Sequence, residues 1–339
     1  MKIAYLLPSF TIISGSSGGV KMQAMQWRDA MRKMGHEIVE ISEWGDYDWK
    51  TFDIVHFFYF GFSYVTIYQN LKQRFPHLKF VCSPIIDSYL PIWVYRLLSF
   101  IKIPKLKIWS EFSTLREYKN LFDVFLVRSE YEKKYLEKGL SVCSEKIEKV
   151  PLSGRFAPEE NFDHKEPFCL HVSRNDDAGK NVSRLVDAAI KYNFKLVLAG
   201  KCSESFRLKL LQKKDAAGQI KILGRVSDER LKDLYSRAKV FALPSIREGV
   251  GFVALEAASY GCDIVITNVG GSKEYFLPYA SAVNPFSVDE IGKAVKKFLD
   301  GETYQPELKK QISSRFSEER VKDVLFQVYF LLKNDHLKD

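Results

Sequence analysis

Residues 243–261 read LPSIREGVGFVALEAASYG. An apolar run ends at Leu243, a loop follows with Glu248, Gly249 and Gly251, and a helix-type stretch starts at Phe252. Two glycines at a helix entrance leave backbone N–H groups open to an anion, and the helix dipole adds positive potential there. Phe252–Tyr260 is apolar on every side except at Glu256 and Ser259. A helix of that kind is a buried one, and a buried carboxylate is costly unless something hydrogen-bonds it. A polyhydroxyl ligand would satisfy Glu256 while Glu248 meets its other end. The alternative is that Glu256 pairs with a nearby arginine and Glu248 only favours the helix's first turn.

The same strand–loop–helix unit repeats in both directions. Phe168–Val172, Lys195–Ala199, Ile220–Leu223, Val240–Leu243 and Asp263–Thr267 read as strands, each followed by a helical segment. An earlier series runs through Lys2–Leu7, Glu37–Ile41, Asp53–Phe58, Lys79–Cys82 and Asp123–Val127, with helices over 20–34 and from Ser129. Between them PLSGRFAPEENFDHKEP (151–167), with three prolines and a polar cluster, is the linker. Glu318–Lys333 is one amphipathic helix with acids in its first turn. Two βαβ series predict an α/β chain of two Rossmann-like domains, 1–155 and 165–316, with parallel sheets facing across a cleft. A final crossover helix, 317–335, packs back toward the first domain. Ligands in such folds bind at the carboxyl ends of the strands, so the cleft is the expected site.

Length and composition agree. The 339 residues suit two domains, and 25 Phe, 17 Tyr and 5 Trp exclude disorder. The net charge of +9 divides evenly, with 21 basic and 16 acidic residues in 1–150 against 30 and 26 after it. No like-charged block or recognition motif accompanies it, which counts against a nucleic-acid-binding module. Cys82, Cys143, Cys169, Cys202 and Cys262 are odd in number and lack metal spacing, so a reducing compartment without structural metal is expected. No stretch reaches 18 apolar residues without charges; the expected location is cytoplasmic.

The string PS-x2-EG-x-GF-x2-LEA-x3-G, with Glu248 and Glu256 eight apart, resembles the retaining glycosyltransferases of family 4, which have the GT-B fold. The resemblance implies that Glu248 contacts donor-sugar hydroxyls, that Glu256 contacts the ribose, and that the amides of Gly249, Val250, Gly251 and Phe252 face the sugar and diphosphate. HVSRNDDAGKNVSRLVDAA (171–189) is a second match. Two cations beside a strand's carboxyl end suit a diphosphate whose charge grows as the glycosidic bond breaks, and in the family Arg174 and Lys180 would bind it. The resemblance makes Glu248, Arg174 and Lys180 the catalytic set. Backbone at Gly224, Arg225 and Val226 would face the nucleobase, and Gly18 and Gly19 would approach the donor phosphate. Gly15-x-x-Gly18-Gly19 is not a dinucleotide fingerprint. Relatives often have a His after the fourth strand. Here the text is FVCSPIIDSYL, so Asp87, Ser83 or Ser88 takes its place, with His56 a further polar group in the cleft or a satisfied core residue.

Thr267, Gly270, Glu274, Tyr275 and Phe276 extend the likeness to bacterial polysaccharide-assembling members. The implied reaction moves a hexose-type sugar from a UDP- or GDP-sugar to a hydroxyl of a glycan or lipid-linked oligosaccharide in O-antigen or capsule synthesis. No metal and no cofactor is expected, because cations and amides replace Mg²⁺. The DxD string Asp46-Tyr47-Asp48 reads as a solvated loop. Residues 93–109 carry Arg96, Lys102, Lys105 and Lys107 among Trp93, Tyr95, Phe100 and Trp109. They suit peripheral contact with an anionic membrane, or a packed helix with snorkelling lysine stems. The rival enzyme class on this fold is a nucleotide-sugar epimerase or a phosphorylase; the latter needs a pyridoxal lysine and usually a longer chain.

Overall fold

In the first half, apolar runs form strands β1 (Lys2–Leu6), β2 (Glu37–Ile41), β3 (Ile54–Phe58), β4 (Lys79–Ser83), β5 (Lys102–Ile103), β6 (Ile108–Trp109), β7 (Val124–Val127) and β8 (Ile147–Lys149). The computed structural model describes residues 1–8, 18–42, 44–61, 65–103, 108–157, 165–213 and 218–334. Among the described residues one parallel sheet has the order β2-β1-β3-β4-β7-β8, and β5 and β6 form a separate antiparallel pair. All five residues of β3 are buried, as expected of a parallel strand covered on both faces.

The second half supplies β9 (Glu166–Val172), β10 (Lys195–Ala199), β11 (Ile220–Gly224), β12 (Ala238–Leu243), β13 (Asp263–Thr267) and β14 (Ser281–Val283). Their order is β11-β10-β9-β12-β13-β14, with every neighbouring pair parallel. The three-residue β14 was not expected, being too short to show a period. The strand order reverses between β9 and β12, and a crevice outside the carboxyl ends of a doubly wound sheet opens at such a reversal. The loops after those two strands carry SRNDDAGK and PSIREGVG.

The chain divides into two units: Met1–Ile86 with Leu90–Leu152 and Glu318–Asp339, and Asp87–Tyr89 with Ser153–Ser317. The terminal helix Glu318–Asn334 therefore belongs with the first sheet. Its Tyr329 hydroxyl lies 3.0 Å from Tyr5 Oη and 2.6 Å from His56 Nδ1, while His56 Nε2 lies 2.9 Å from Ser83 Oγ. All four side chains are buried, and burial holds the His56 pKa well below its ordinary value. His56 is thus the satisfied core residue posed as its alternative, and Ser83 is its partner rather than an open polar group. Both point into the core and satisfy each other, because a polar pair on adjacent buried strands must find partners inside. Neither presents an atom to an acceptor in this structure.

Candidate functional site

The loop after β9 is built to point a lysine at the loop after β12. Asp177 accepts the Gly179 N–H at 2.9 Å and opens a one-turn 3₁₀ helix, Ala178–Lys180. Asn181 then takes a left-handed conformation, φ +60°, which Asn tolerates better than most residues. Its Nδ2 donates to the carbonyls of Pro244 at 2.9 Å and Pro285 at 2.6 Å, and the Ile246 N–H donates to the Gly179 carbonyl at 2.8 Å. With the loops joined in this way, Lys180 Nζ lies 2.9 Å from Glu248 Oε2, which also accepts from Ser245 Oγ at 3.0 Å. Burial pulls the Lys180 ammonium down, but the carboxylates of Glu248, Asp87 and Asp177 more than reverse that, and the net shift is upward.

Two further cations stand by the same turn. Arg174 is exposed and pairs with Asp177 at 2.7 Å. The Arg247 guanidinium passes 3.5 Å from where a Gly179 side chain would begin, and lies 5.9 Å over the Tyr89 ring. Sequence reasoning assigned no role to Arg247, since an exposed loop arginine carries no period or spacing. Asp87, expected with Ser88 at the acceptor side, is among the charges that raise Lys180.

Glycine is required at two points of this site. Gly270 has φ +96°, and a Cβ there would fall 1.9 Å from the Glu248 carbonyl oxygen. Gly200, φ +107°, stands equally close to the Ser173 carbonyl. The backbones under Glu248 and Arg174 are thus held by neighbours that only glycine can supply. Gly251, φ +90°, caps the helix Phe252–Ser259, whose first-turn N–H groups lack intrahelical partners, as in any helix.

Glu256, at the buried face of that helix, has its partners within the protein. Its side chain is 0% exposed. Oε1 accepts from Arg155 Nε at 2.5 Å, and Oε2 accepts from Arg155 Nη2 and Tyr235 Oη at 3.1 and 3.0 Å. The arginine pairing posed as the alternative is the one found. Arg155 lay unnoticed in the linker, where charge reads as solvated. Its Nη1 reaches Asp228 Oδ1 at 3.1 Å, and its guanidinium lies 4.5 Å over the Phe156 ring.

His171, inside β9, donates from Nδ1 to the Ala242 carbonyl at 2.8 Å and accepts at Nε2 from Ser173 Oγ at 2.7 Å. Burial lowers its pKa from 6.5 to about 4. A depressed base is neutral when folded, so its stabilisation is complete above pH 6.5 and is lost as pH falls toward 4. The loss amounts to about 3 kcal/mol. Thermal melts of wild type and His171→Gln across pH 7 to 4 check this: the wild type is expected to lose stability more steeply, and parallel curves would refute it.

The other expected residues are dispersed. Gly224 ends β11 with φ +69°, followed by Arg225 and Val226, half-buried or exposed. Gly18 caps the helix Gly19–Lys33 in the first unit without a side-chain cap; Gly15 lies outside the described residues. Asp48 accepts the Lys50 N–H and starts a short turn, with Asp46 exposed beside it. In 93–109, Trp93, Leu97 and Phe100 are 70%, 58% and 57% exposed around exposed Arg96. Tyr95 is buried, and Lys105 and Lys107 lie outside the described residues.

Residues 154–315 match the family model described as glycosyl transferases group 1. O-antigen chain mannosyltransferase B of Escherichia coli is 29% identical over 146 residues, which are 41% of this chain and 38% of that one. The chain therefore spans well under two thirds of this curated relative. Among solved structures, sucrose-phosphate synthase from Thermosynechococcus elongatus superposes with a TM-score of 0.77 at 18% identity, covering 98% of this chain and 99% of the other. HepE of Anabaena in complex with UDP gives 0.71 at 13% identity, covering 97% and 99%. These likenesses identify the fold as GT-B.

Proposed function

We propose, from the premise that residues 154–315 form a domain of the group 1 glycosyl transferases, that the chain is a retaining transferase. It moves a hexose-type sugar from a UDP- or GDP-sugar to a hydroxyl of a glycan or lipid-linked oligosaccharide in surface-polysaccharide assembly. One observation carries this reading: the Lys180–Glu248 pair joins the two loops that also carry Arg174 and Arg247, at the strand-order reversal. A diphosphate leaving group needs cations where its charge develops, and a sugar needs an acceptor for its hydroxyls. Glu248 becomes that acceptor, while Arg174, Lys180 and the amides of Gly249–Phe252 hold the departing phosphate. Front-face attack follows, in which the leaving phosphate helps deprotonate the acceptor hydroxyl. The cations do this work without a metal ion or other cofactor.

The test is a thermal-shift screen of UDP-, GDP- and ADP-sugars, repeated with Glu248→Ala and Lys180→Ala. Stabilisation of the wild type by one donor, lost in both variants, is expected. If no nucleotide sugar stabilises the wild type, the proposal fails, and donor conversion without an acceptor would make the protein an epimerase instead.

A cytoplasmic enzyme working on lipid-linked acceptors gains from membrane contact, and Trp93, Leu97 and Phe100 around Arg96 suit an anionic bilayer interface. Among the described residues no helix is long and apolar enough to cross a membrane. Co-sedimentation with phosphatidylglycerol vesicles at low salt is expected to bring the wild type down and to leave Trp93→Ser/Phe100→Ser in solution. Equal recovery of both in the supernatant would refute the contact.

A further inference from the structure

We propose that the second unit has a further binding site, for a small phosphorylated sugar, in a cavity on the flank of its sheet. Lys195 and Lys221 meet the phosphate there, and Gln219 meets a hydroxyl. The cavity holds about 420 Å³, within the range of small-molecule sites, and the topology creates it. The helix Asp228–Arg237 carries the chain from β11 back to β12 across a sheet four strands wide at that point. That is about 14 Å of sheet, and a helix covers about 10 Å. It packs on β9, which leaves the flank of β10 and β11 open beside it. Val197 and Leu223 line the cavity and are only half-buried, where a parallel sheet covered on both faces would bury them. Arg230, Leu234 and Arg237 reach the cavity from one stripe of the helix, and Phe168 adds to its apolar floor. Glu166, Lys195 and Ile220 are the first residues of their strands. The loops with Arg174, Lys180 and Glu248, at the carboxyl ends, contribute nothing to the lining.

The charges determine what such a cavity takes. Arg237 donates from Nε to Glu166 at 2.6 Å and from Nη1 to Asp233 Oδ2 at 3.4 Å, and Arg230 Nη1 donates to the same oxygen at 2.6 Å. Two cations and two carboxylates cancel. Lys195 and Lys221 are left over, since neither makes an ion pair with a described residue. Glu166 is lowered first by Arg237 and least by Lys195, which does not pair with it. Lys221 lies beside Val197 in the ladder, and strand alternation puts Lys195 on that same face. The surplus of two positive charges matches the charge of about −1.5 to −2 that a phosphomonoester carries at pH 7. An ion alone would leave the apolar floor unfilled. Gln219, just before β11, donates from Nε2 to Asn193 Oδ1 at 2.7 Å, while its Oε1 is buried with no hydrogen-bond partner among the described residues. A buried acceptor without a donor is costly. A phosphomonoester dianion has no proton to offer it; a sugar hydroxyl has, and the ring's C–H faces suit the floor.

Calorimetry with glucose 6-phosphate, mannose 6-phosphate, glucose and inorganic phosphate tests this on the wild type, Lys195→Gln/Lys221→Gln, Gln219→Met and Lys180→Ala. Both lysines are exposed, so their double variant is expected to fold, and a melt of each protein checks it; Gln219→Met decides the matter should it not. The wild type is expected to bind a hexose phosphate about tenfold or more tighter than phosphate or glucose. The double lysine variant should lose about tenfold or more of that affinity. Gln219→Met should bring the hexose phosphate down toward inorganic phosphate and leave phosphate itself unchanged, while Lys180→Ala should bind as the wild type does. Failure of both sugar phosphates to bind at about 1 mM overturns the inference. So does affinity retained in the lysine variant or in Gln219→Met, or a wild type that takes phosphate as tightly as the sugar phosphate. Loss of binding in Lys180→Ala overturns it too, because the ligand would then sit at the diphosphate cluster. The nucleotide-sugar reading stands or falls separately, on donor binding that depends on Lys180 and Glu248.

Discussion

Replacing Lys180 by alanine is expected to lower kcat/KM for sugar transfer by about 10³-fold, the range for removing one preorganised donor at a developing negative charge. On the proposed reading Lys180 Nζ, 2.9 Å from Glu248 at the reversal of the sheet, stabilises the departing phosphate. The fall should lie mainly in kcat, because the leaving group's charge is greatest in the transition state. Lys180→Ala also leaves the Glu248 carboxylate with the Ser245 hydroxyl as its side-chain donor among the described residues, costing about 1–3 kcal/mol of stability. Glu248→Gln separates the two effects. It leaves Lys180 free for phosphate and should lose activity through weaker hold on the sugar, with less loss of stability. Steady-state kinetics with a melt for each variant check both statements; a Lys180→Ala enzyme within about tenfold of wild type would refute the assignment.

The second large effect is expected at a glycine that supports the Glu248 backbone. Gly270→Ala puts a Cβ 1.9 Å from the Glu248 carbonyl oxygen at φ +96°. The clash is with backbone, which cannot rotate away, so either Gly270 or the Glu248 loop must move. The expected loss is about 3 kcal/mol or more of stability. Displacing the glutamate by even 1 Å adds a fall of about 10²-fold in kcat/KM. Gly35→Ala is the control: φ is +80°, nothing lies within 4 Å of its Cβ, and only the local strain of about 1 kcal/mol applies. Parallel melts and rates decide the matter, and equal mildness of the two variants would show that the Gly270 approach does not hold Glu248.

What the chain's order of residues conveys is set by short-range rules. Apolar runs of five such as IVHFF and DIVIT are strands in the structure, because a strand buried on both faces needs no partner-specific information. Glycines at loop ends are equally plain, and 251 and 270 both have positive φ. β14 and Arg247 were missed because three residues show no period and a loop cation shows no spacing.

The sequence alone determined the two βαβ series, the linker and the placement of Arg174, Lys180 and Glu248 on strand-to-helix loops, since each follows from periodicity and turn chemistry within about twenty residues. Only the tertiary structure decided which partners the buried polar groups chose. Glu256 was legible as a buried acid, but its arginine lies 101 residues earlier. His56 was legible as polar on an apolar strand, but its tyrosine lies 273 residues later on the terminal helix. A buried charge or imidazole announces that it must be satisfied; the fold determines which distant side chain reaches it, because that depends on which strands and helices become neighbours.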